Sequence, residues 1–230
     1  SSERKGETQE DSVRTFSSFS DVIIMRHSKG GLAEKMAWTL SNTERPVPIV
    51  NAGSGKDQHP TQALLDIYTL QRSFEKRGGI DGKKIVFVGD LARGRTVRSL
   101  AQLLTCYRGV EQVFIAPPQL QITDDILGLL RASNTRFEVG DDLDKILPEA
   151  DAVYMTRVQD EWDEKAGESG RIDTSRFCIG ADQLAKLKQN AVILHPLPRR
   201  GEISVEVDRD PRAVYWRQVR NGMWIRVALL

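Results

Sequence analysis

Cysteine is scarce in this chain: Cys106 and Cys178 are the only two among 230 residues, and neither belongs to a CxxC or Cys/His spacing. That pattern argues against a disulfide framework or a zinc site and fits a reducing compartment. An excess of either charge is missing too. The 33 basic and 32 acidic side chains nearly cancel, so bulk electrostatics point to neither nucleic acid nor a membrane surface as a partner. No apolar run reaches membrane-spanning length, and the polar opening SSERKGETQEDS lacks the character of a secretory leader. The expectation is a soluble, cytoplasmic, globular protein.

Several catalytic signatures are absent as well. GDLARGR (89–95) has the wrong glycine spacing for a dinucleotide fingerprint, and GSGKDQHP (53–60) resembles a P-loop without its GK[ST] ending. There is no GxSxG elbow and no HExxH. Asp124-Asp125 and Asp141-Asp142 stand at helix starts, where carboxylates cap and complement the dipole, so they read as structural. What remains is the binding and orientation of small anions with no metal, no cofactor and no covalent nucleophile.

What is present is a regular alternation. Short apolar runs at 21–27, 47–53, 84–90, 112–117, 136–140, 152–156 and 191–196 resemble buried parallel strands. Helical patterns lie between them at 7–19, 31–40, 60–74, 96–107, 124–132, 143–149 and 181–189. Such alternation predicts an α/β protein of parallel sheets. The charged, glycine-rich segment 75–84 separates two strand–helix series, so the chain divides into a first lobe (1–74), a linker (75–83) and a second lobe (84–211). Residues 212–230 are expected to form a closing helix, interrupted near Asn221-Gly222, that returns to the first lobe. The polar stretch from Gln159 to Cys178 is long enough to be a functional lid or disordered.

In open α/β sheets ligands gather beyond the carboxyl ends of the strands. Polar residues just past those ends are Arg26-His27, Gln58-His59 with Thr61-Gln62, Asp90 with Arg93 and Arg95, Arg157 with Gln159, and HPLPR (195–199). Arginine's planar fork matches carboxylate and phosphate. Any one of Arg26, Arg95, Arg157 and Arg199 could be an ordinary surface ion pair; four on one edge favour a polyanionic ligand. HPTQALLDIYTL (59–70) has two readings. Pro60 suits a first helical turn, with Leu64, Leu65, Ile67, Tyr68 and Leu70 as a core stripe. The polar cluster Gln58, His59, Thr61 and Gln62 at its mouth instead suits an anion at a helix N-terminus. His27 and His195 are expected to pack or support rather than react.

Taken together, MRH (25–27), HPTQALLD (59–66), GDLARGRTVRSL (89–100), YMTRVQ (154–159) and HPLPR (195–199) resemble the catalytic chains of the aspartate carbamoyltransferase family, in order and spacing over essentially the whole chain. The resemblance implies a carbamoyl-phosphate lobe, a Rossmann-like aspartate lobe and a cleft between them. It implies carbamoyl transfer from carbamoyl phosphate to L-aspartate, an early step of pyrimidine biosynthesis. Related ornithine enzymes typically carry cysteine in place of Thr61 and Pro196, so HPTQ and HPLP favour aspartate.

By position, the resemblance implies that Arg26 binds phosphate, His59 bonds the carbamoyl oxygen and Gln62 lies near the carbamoyl nitrogen. Arg95, Arg157 and Gln159 would hold the aspartate carboxylates, and the carbonyls of Pro196 and Leu197 would accept from the carbamoyl NH2 and the incoming amine. Lys5, with Ser1, would reach into a neighbouring subunit's site in a homotrimer. A separate regulatory subunit is left open. Departures are the missing SxRT strand–helix unit and the early end of the closing helix, which suggest an incompletely represented chain. Arg93 replaces the family's usual tyrosine or histidine, and Trp162 replaces a lid arginine. An inactive module of the same fold, or an enzyme for another amine, are the rival readings.

Overall fold

The computed structural model describes residues 6–163, 165 and 167–230. Two parallel sheets carry the chain. The smaller pairs β1 (Ile23–His27) with β2 (Ile49–Ser54). The larger has the order β5-β4-β3-β6-β7, from β3 (Lys84–Val88), β4 (Glu111–Ile115), β5 (Arg136–Gly140), β6 (Ala152–Met155) and β7 (Val192–Leu194). Helices α1 (Gln9–Ser17) and α2 (Leu32–Ser41) flank the small sheet. Next come α3 (Pro60–Phe74), α4 (Arg95–Leu104), α5 (Asp124–Ala132), α6 (Leu143–Ile146), α7 (Ala181–Lys186) and α8 (Tyr215–Leu229). The parallel α/β architecture expected from the alternation is present.

Side-chain alternation explains why the central strands read as continuous apolar runs. Ile85 and Phe87 point to one face of the large sheet, where Phe87 stacks on Phe114 at 5.1 Å with Tyr154 tilted alongside at 5.7 Å. Val86 and Val88 point to the other, against Val153, Leu147 and Phe177. Both faces are covered, as parallel sheets require. α4 presents Val97, Leu100, Ala101 and Leu104 to the first face, the spacing of an amphipathic helix. From α3, Leu70 and Phe74 enter the same core and join the two sheets.

Three sequence expectations need correction. The runs forming β1, β2 and β5 are not wholly buried: β5 is an edge strand with solvent on much of its surface, and Ile24 of β1 is 59% exposed. The stripe on α3 is narrower than the leucines suggested, since Leu64 and Tyr68 face outward while Leu65 and Leu70 are buried. The closing helix does not break at Asn221-Gly222. It runs on because Asn221 Nδ2 donates to Thr69 Oγ1 at 2.9 Å and Gly222 lets Leu65 of α3 approach closely, where a Cβ would stand 3.0 Å from Leu65 Cδ2. The pair serves close helix packing and not a turn. Two of the four carboxylates set aside as structural make such contacts: Asp142 caps α6 by accepting from the Lys145 N–H at 3.1 Å, and Asp125 pairs with Arg98.

Gly89 ends β3 at φ +116°, and a Cβ there would overlap the Thr156 carbonyl of the neighbouring strand end. Gly128, inside α5, has open space. Gly89→Ala is therefore expected to lower the unfolding free energy by about 3 kcal/mol. Gly128→Ala should raise it by roughly 0.5–1 kcal/mol. Urea denaturation of the two variants reads both signs.

Candidate active site

The carboxyl end of β2 leads into α3 through Gly53–Pro60, and this loop is bonded to the large-sheet lobe. The His59 N–H donates to Ser99 Oγ of α4 at 2.9 Å. Arg95, first residue of α4, reaches across to donate from a terminal nitrogen to the Gly55 carbonyl at 3.1 Å. Its guanidinium lies against Gly53, at φ +124°, where a Cβ would come within 3.3 Å of it. Opposite stands the turn after β7. His195 is buried, its Nδ1 accepts the Leu197 N–H at 2.8 Å, and its Nε2–H donates to Glu202 at 2.6 Å. That pairing holds Leu197 at φ +54°, a conformation costing a residue with a side chain about 1–3 kcal/mol.

A pocket of about 180 Å³ lies between these elements. The structure brings together there Arg26, His59, Gln62, Arg95, Arg157, Gln159, Pro196 and Leu197, drawn from five separate stretches of the sequence. Thr96, Thr156 and Glu161, which the sequence reading did not single out, complete the wall with His195 and Pro198 of the HPLPR turn. Ser1 and Lys5 lie outside the described residues. His27 sits apart from this pocket and accepts the Lys29 N–H at 3.0 Å in a local turn. Arg199 also turns away: it pairs with Asp208 at 2.5 Å and lies over the Tyr215 and Trp216 rings. Its place after a strand was misleading because the turn swings its side chain toward α8.

The pocket is strongly cationic. Among the described residues neither Arg26 nor Arg95 pairs with a carboxylate. Burial and then the neighbouring Arg26 charge lower the Arg95 pKa, so this guanidinium gains from an anion placed between the two. His59 is pulled down to about 4, first by burial, then by Arg95, Arg26 and Arg226. At neutral pH its ring is an uncharged N–H donor. Arg157 is different, since Glu161 engages its fork at 2.8 and 2.5 Å. A carboxylate thus already fills the position a ligand carboxylate would take.

Arg93 and Trp162, the departures in the sequence, fasten the segment after Gln159. Arg93 bonds Asp90 and Asp163 at 2.8 Å each and Ser169 Oγ at 2.9 Å, while Asp90 also accepts the Gln159 N–H at 3.0 Å. Trp162 receives Lys56 Nζ over its ring at 5.3 Å, a cation–π contact joining this segment to the loop before α3. Behind the pocket, Asp66 is completely buried and bonded by Gln62, Tyr154 and Gln218. Burial pushes its pKa up to about 7 against those bonds. The signal for it was an aspartate four residues after Gln62, on the same face of α3 as the buried leucines.

The family model for the Asp/Orn binding domain of aspartate/ornithine carbamoyltransferases matches residues 81–230, and that for the carbamoyl-P binding domain matches residues 1–72. The chloroplastic aspartate carbamoyltransferase of Arabidopsis thaliana is 44% identical across the whole chain, which spans 57% of that protein's length. The aspartate carbamoyltransferase catalytic subunit of Vibrio cholerae is 43% identical over 99% of the chain and 71% of its own length. Among solved structures, the aspartate transcarbamoylase of Trypanosoma cruzi with carbamoyl phosphate superposes with a TM-score of 0.86 at 38% identity. All of this chain and 71% of that one are covered. The same enzyme with aspartate and phosphate gives 0.83, again over all of this chain and 69% of that one.

The low His59 pKa has two consequences. By NMR the ring is expected to stay neutral from pH 8 to pH 5.5, and a titration near 6.5 would contradict the burial argument. As pH falls the unfolded chain takes up the proton first, so this group's contribution to stability is present above about 6.5 and lost toward 4.

Proposed function

The chain belongs to the aspartate/ornithine carbamoyltransferase family, and from that membership we propose that it transfers the carbamoyl group of carbamoyl phosphate to the amine of L-aspartate, giving N-carbamoyl-L-aspartate and phosphate for pyrimidine synthesis. The observation that carries the reading is the neutral His59 donor set beside two guanidiniums, Arg26 and Arg95, that no carboxylate occupies among the described residues.

Both substrates are anions, and the pocket answers each. Arg26 takes the phosphate. Arg95 lies close enough to Arg26 to feel its charge and takes one aspartate carboxylate. Arg157 takes the other, in exchange for the carboxylate of Glu161. Gln159 lies beside it, its backbone fixed on Asp90. The aspartate nitrogen attacks the carbamoyl carbon, and the carbonyl oxygen becomes an oxyanion. A neutral ring N–H on His59 bonds that oxygen more strongly as the charge develops. Collapse breaks the bond to phosphate, which leaves with the amine proton. The Pro196 and Leu197 carbonyls and Gln62 accept from the carbamoyl NH2 and the incoming amine. Fixing two anions at attack distance supplies much of the acceleration.

The division of labour follows the sheets: residues 1–74 bind carbamoyl phosphate, 75–83 link, 84–211 bind aspartate, and the closing helix over 212–230 packs back on α3. We place Lys5, with Ser1, in the site of an adjacent chain of a homotrimer; the sequence resemblance supports this. Two free cysteines support a reducing, cytoplasmic setting, although the Arabidopsis relative is named as chloroplastic.

Steady-state kinetics test the roles. Arg157→Ala should raise the aspartate KM about 10- to 100-fold, the value of a charge-assisted contact of about 1.5–3 kcal/mol, with carbamoyl phosphate binding nearly unchanged. His59→Ala should instead lower kcat about 10²- to 10³-fold. Ornithine is expected to be a poor acceptor throughout, and efficient carbamoylation of ornithine would overturn the aspartate assignment. Mixing Lys5→Ala chains with His59→Ala chains under subunit exchange should restore activity if sites are shared. Exchanged mixtures as inactive as their parents would refute the shared site.

A further inference from the structure

Asp66 is assigned no contact with either substrate, yet three side chains from three elements converge on it. Gln62, one turn earlier on α3, donates from Nε2 to Oδ1 at 2.9 Å. Gln218 of α8 donates from Nε2 to the same oxygen at 2.6 Å. The Tyr154 hydroxyl of β6 donates to Oδ2 at 2.7 Å. Beyond Gln218 the chain of bonds continues: its Oε1 accepts the His195 N–H at 2.9 Å, and His195 Nδ1 accepts the Leu197 N–H at 2.8 Å.

In this geometry the Asp66 carboxyl only accepts, at Oδ1 from both glutamines and at Oδ2 from Tyr154. Both glutamines thus turn their NH2 groups toward Asp66, and each is left with its carbonyl oxygen on the far side. For Gln218 that oxygen secures the turn after β7. For Gln62, which lines the pocket, it is the atom left for a ligand. We infer that Asp66 is a positioning residue that sets the hydrogen-bonding polarity of the carbamoyl pocket, turning the Gln62 carbonyl and, through Gln218 and His195, the 196–197 turn toward the donor's NH2. The pocket then offers acceptors at this end and discriminates an NH2 group from a methyl of the same size. The inference rests on the carbamoyl phosphate reading above.

A purely structural tie between α3, β6 and α8 would make a different prediction, because loosening it weakens every ligand alike. The probes are carbamoyl phosphate, acetyl phosphate (a methyl in place of the NH2) and inorganic phosphate, their dissociation constants measured by calorimetry. Wild type should prefer carbamoyl over acetyl phosphate; no preference at all would overturn the donor assignment itself. Asp66→Leu removes the acceptor and should cut that preference about tenfold while inorganic phosphate binds within about twofold of wild type. Asp66→Asn keeps an oxygen at the Oδ1 position for both glutamines and should keep the preference. An unchanged preference in Asp66→Leu, or equal weakening of all three ligands, would overturn the inference alone.

Should Asp66→Leu fail to fold, wild type still supplies the test. The Gln62 side-chain NH2, identified by the resonance lost in Gln62→Leu, should exchange slowly with solvent in the unliganded protein because it is held on Asp66. Exchange as fast as that of exposed glutamines would place the NH2 in the pocket and overturn the inference.

Discussion

Two guanidiniums, Arg26 and Arg95, share one pocket with no carboxylate partner among the described residues, and they repel each other. Much of the surrounding structure can be understood as what holds that arrangement in place. Arg26 rides the end of β1 in the small sheet, while Arg95 opens α4 on the large one. Their approach is fixed by bonds across the two lobes, from Arg95 to the Gly55 carbonyl and from the His59 N–H to Ser99. Core residues Leu70 and Phe74 then lock α3, which carries His59 at its mouth, into the hydrophobic layer of the large sheet. Without that buried apolar anchor the loops could relax and separate the charges. An anion relieves the repulsion from inside the pocket, and this is why a net charge of only +1 is compatible with a strongly anion-seeking site.

The sequence was legible where one physical demand dominated. Central strands bury both faces, so β3 and β6 showed as unbroken apolar runs. Pro60 and the glycines after it marked α3 from Pro60 to Phe74 as expected. Strand-end residues gathered into a pocket because a parallel sheet delivers all its carboxyl ends to one edge. It was less legible where tertiary contact overrode local signal. Asn221-Gly222 looked like a break until the neighbouring helix supplied a reason for both residues. Arg199 carried the same local signature as Arg157, and only the direction of the turn separates an ion pair with Asp208 from a place in the pocket. Asp66 closes the HPTQALLD motif, yet its burial and partners depend on residues 88 and 152 positions away in sequence.

Arg93 and Trp162 show how a fold absorbs substitutions at a mobile-looking stretch. Segment 159–170 is long and polar, but Arg93 gathers Asp90, Asp163 and Ser169 beneath it. With Asp90 completely buried, this is a fully partnered charge cluster, the arrangement in which a buried carboxylate is tolerated. Trp162 adds a contact to Lys56 that requires no carboxylate, so the segment meets the first lobe through an aromatic face and a cation. A contact of this kind is worth about 0.5–1 kcal/mol where exposed. It is weak enough to be broken and remade.

The histidine of the turn after β7 has a consequence for proton traffic. Its two ring nitrogens are committed in opposite senses, Nδ1 to the Leu197 N–H and Nε2–H to Glu202, so one tautomer is locked. A ring fixed in that way cannot relay a proton, since passing one through would require both bonds to reverse together. The other pocket imidazole is held neutral by burial first and then by its cationic surroundings, and is a poor base for the same reasons. For the proposed reaction the His59 ring therefore donates to the developing oxyanion, while the His195 ring braces the turn at 196–197. The proton released when the amine attacks has to leave on something that arrived with the substrates.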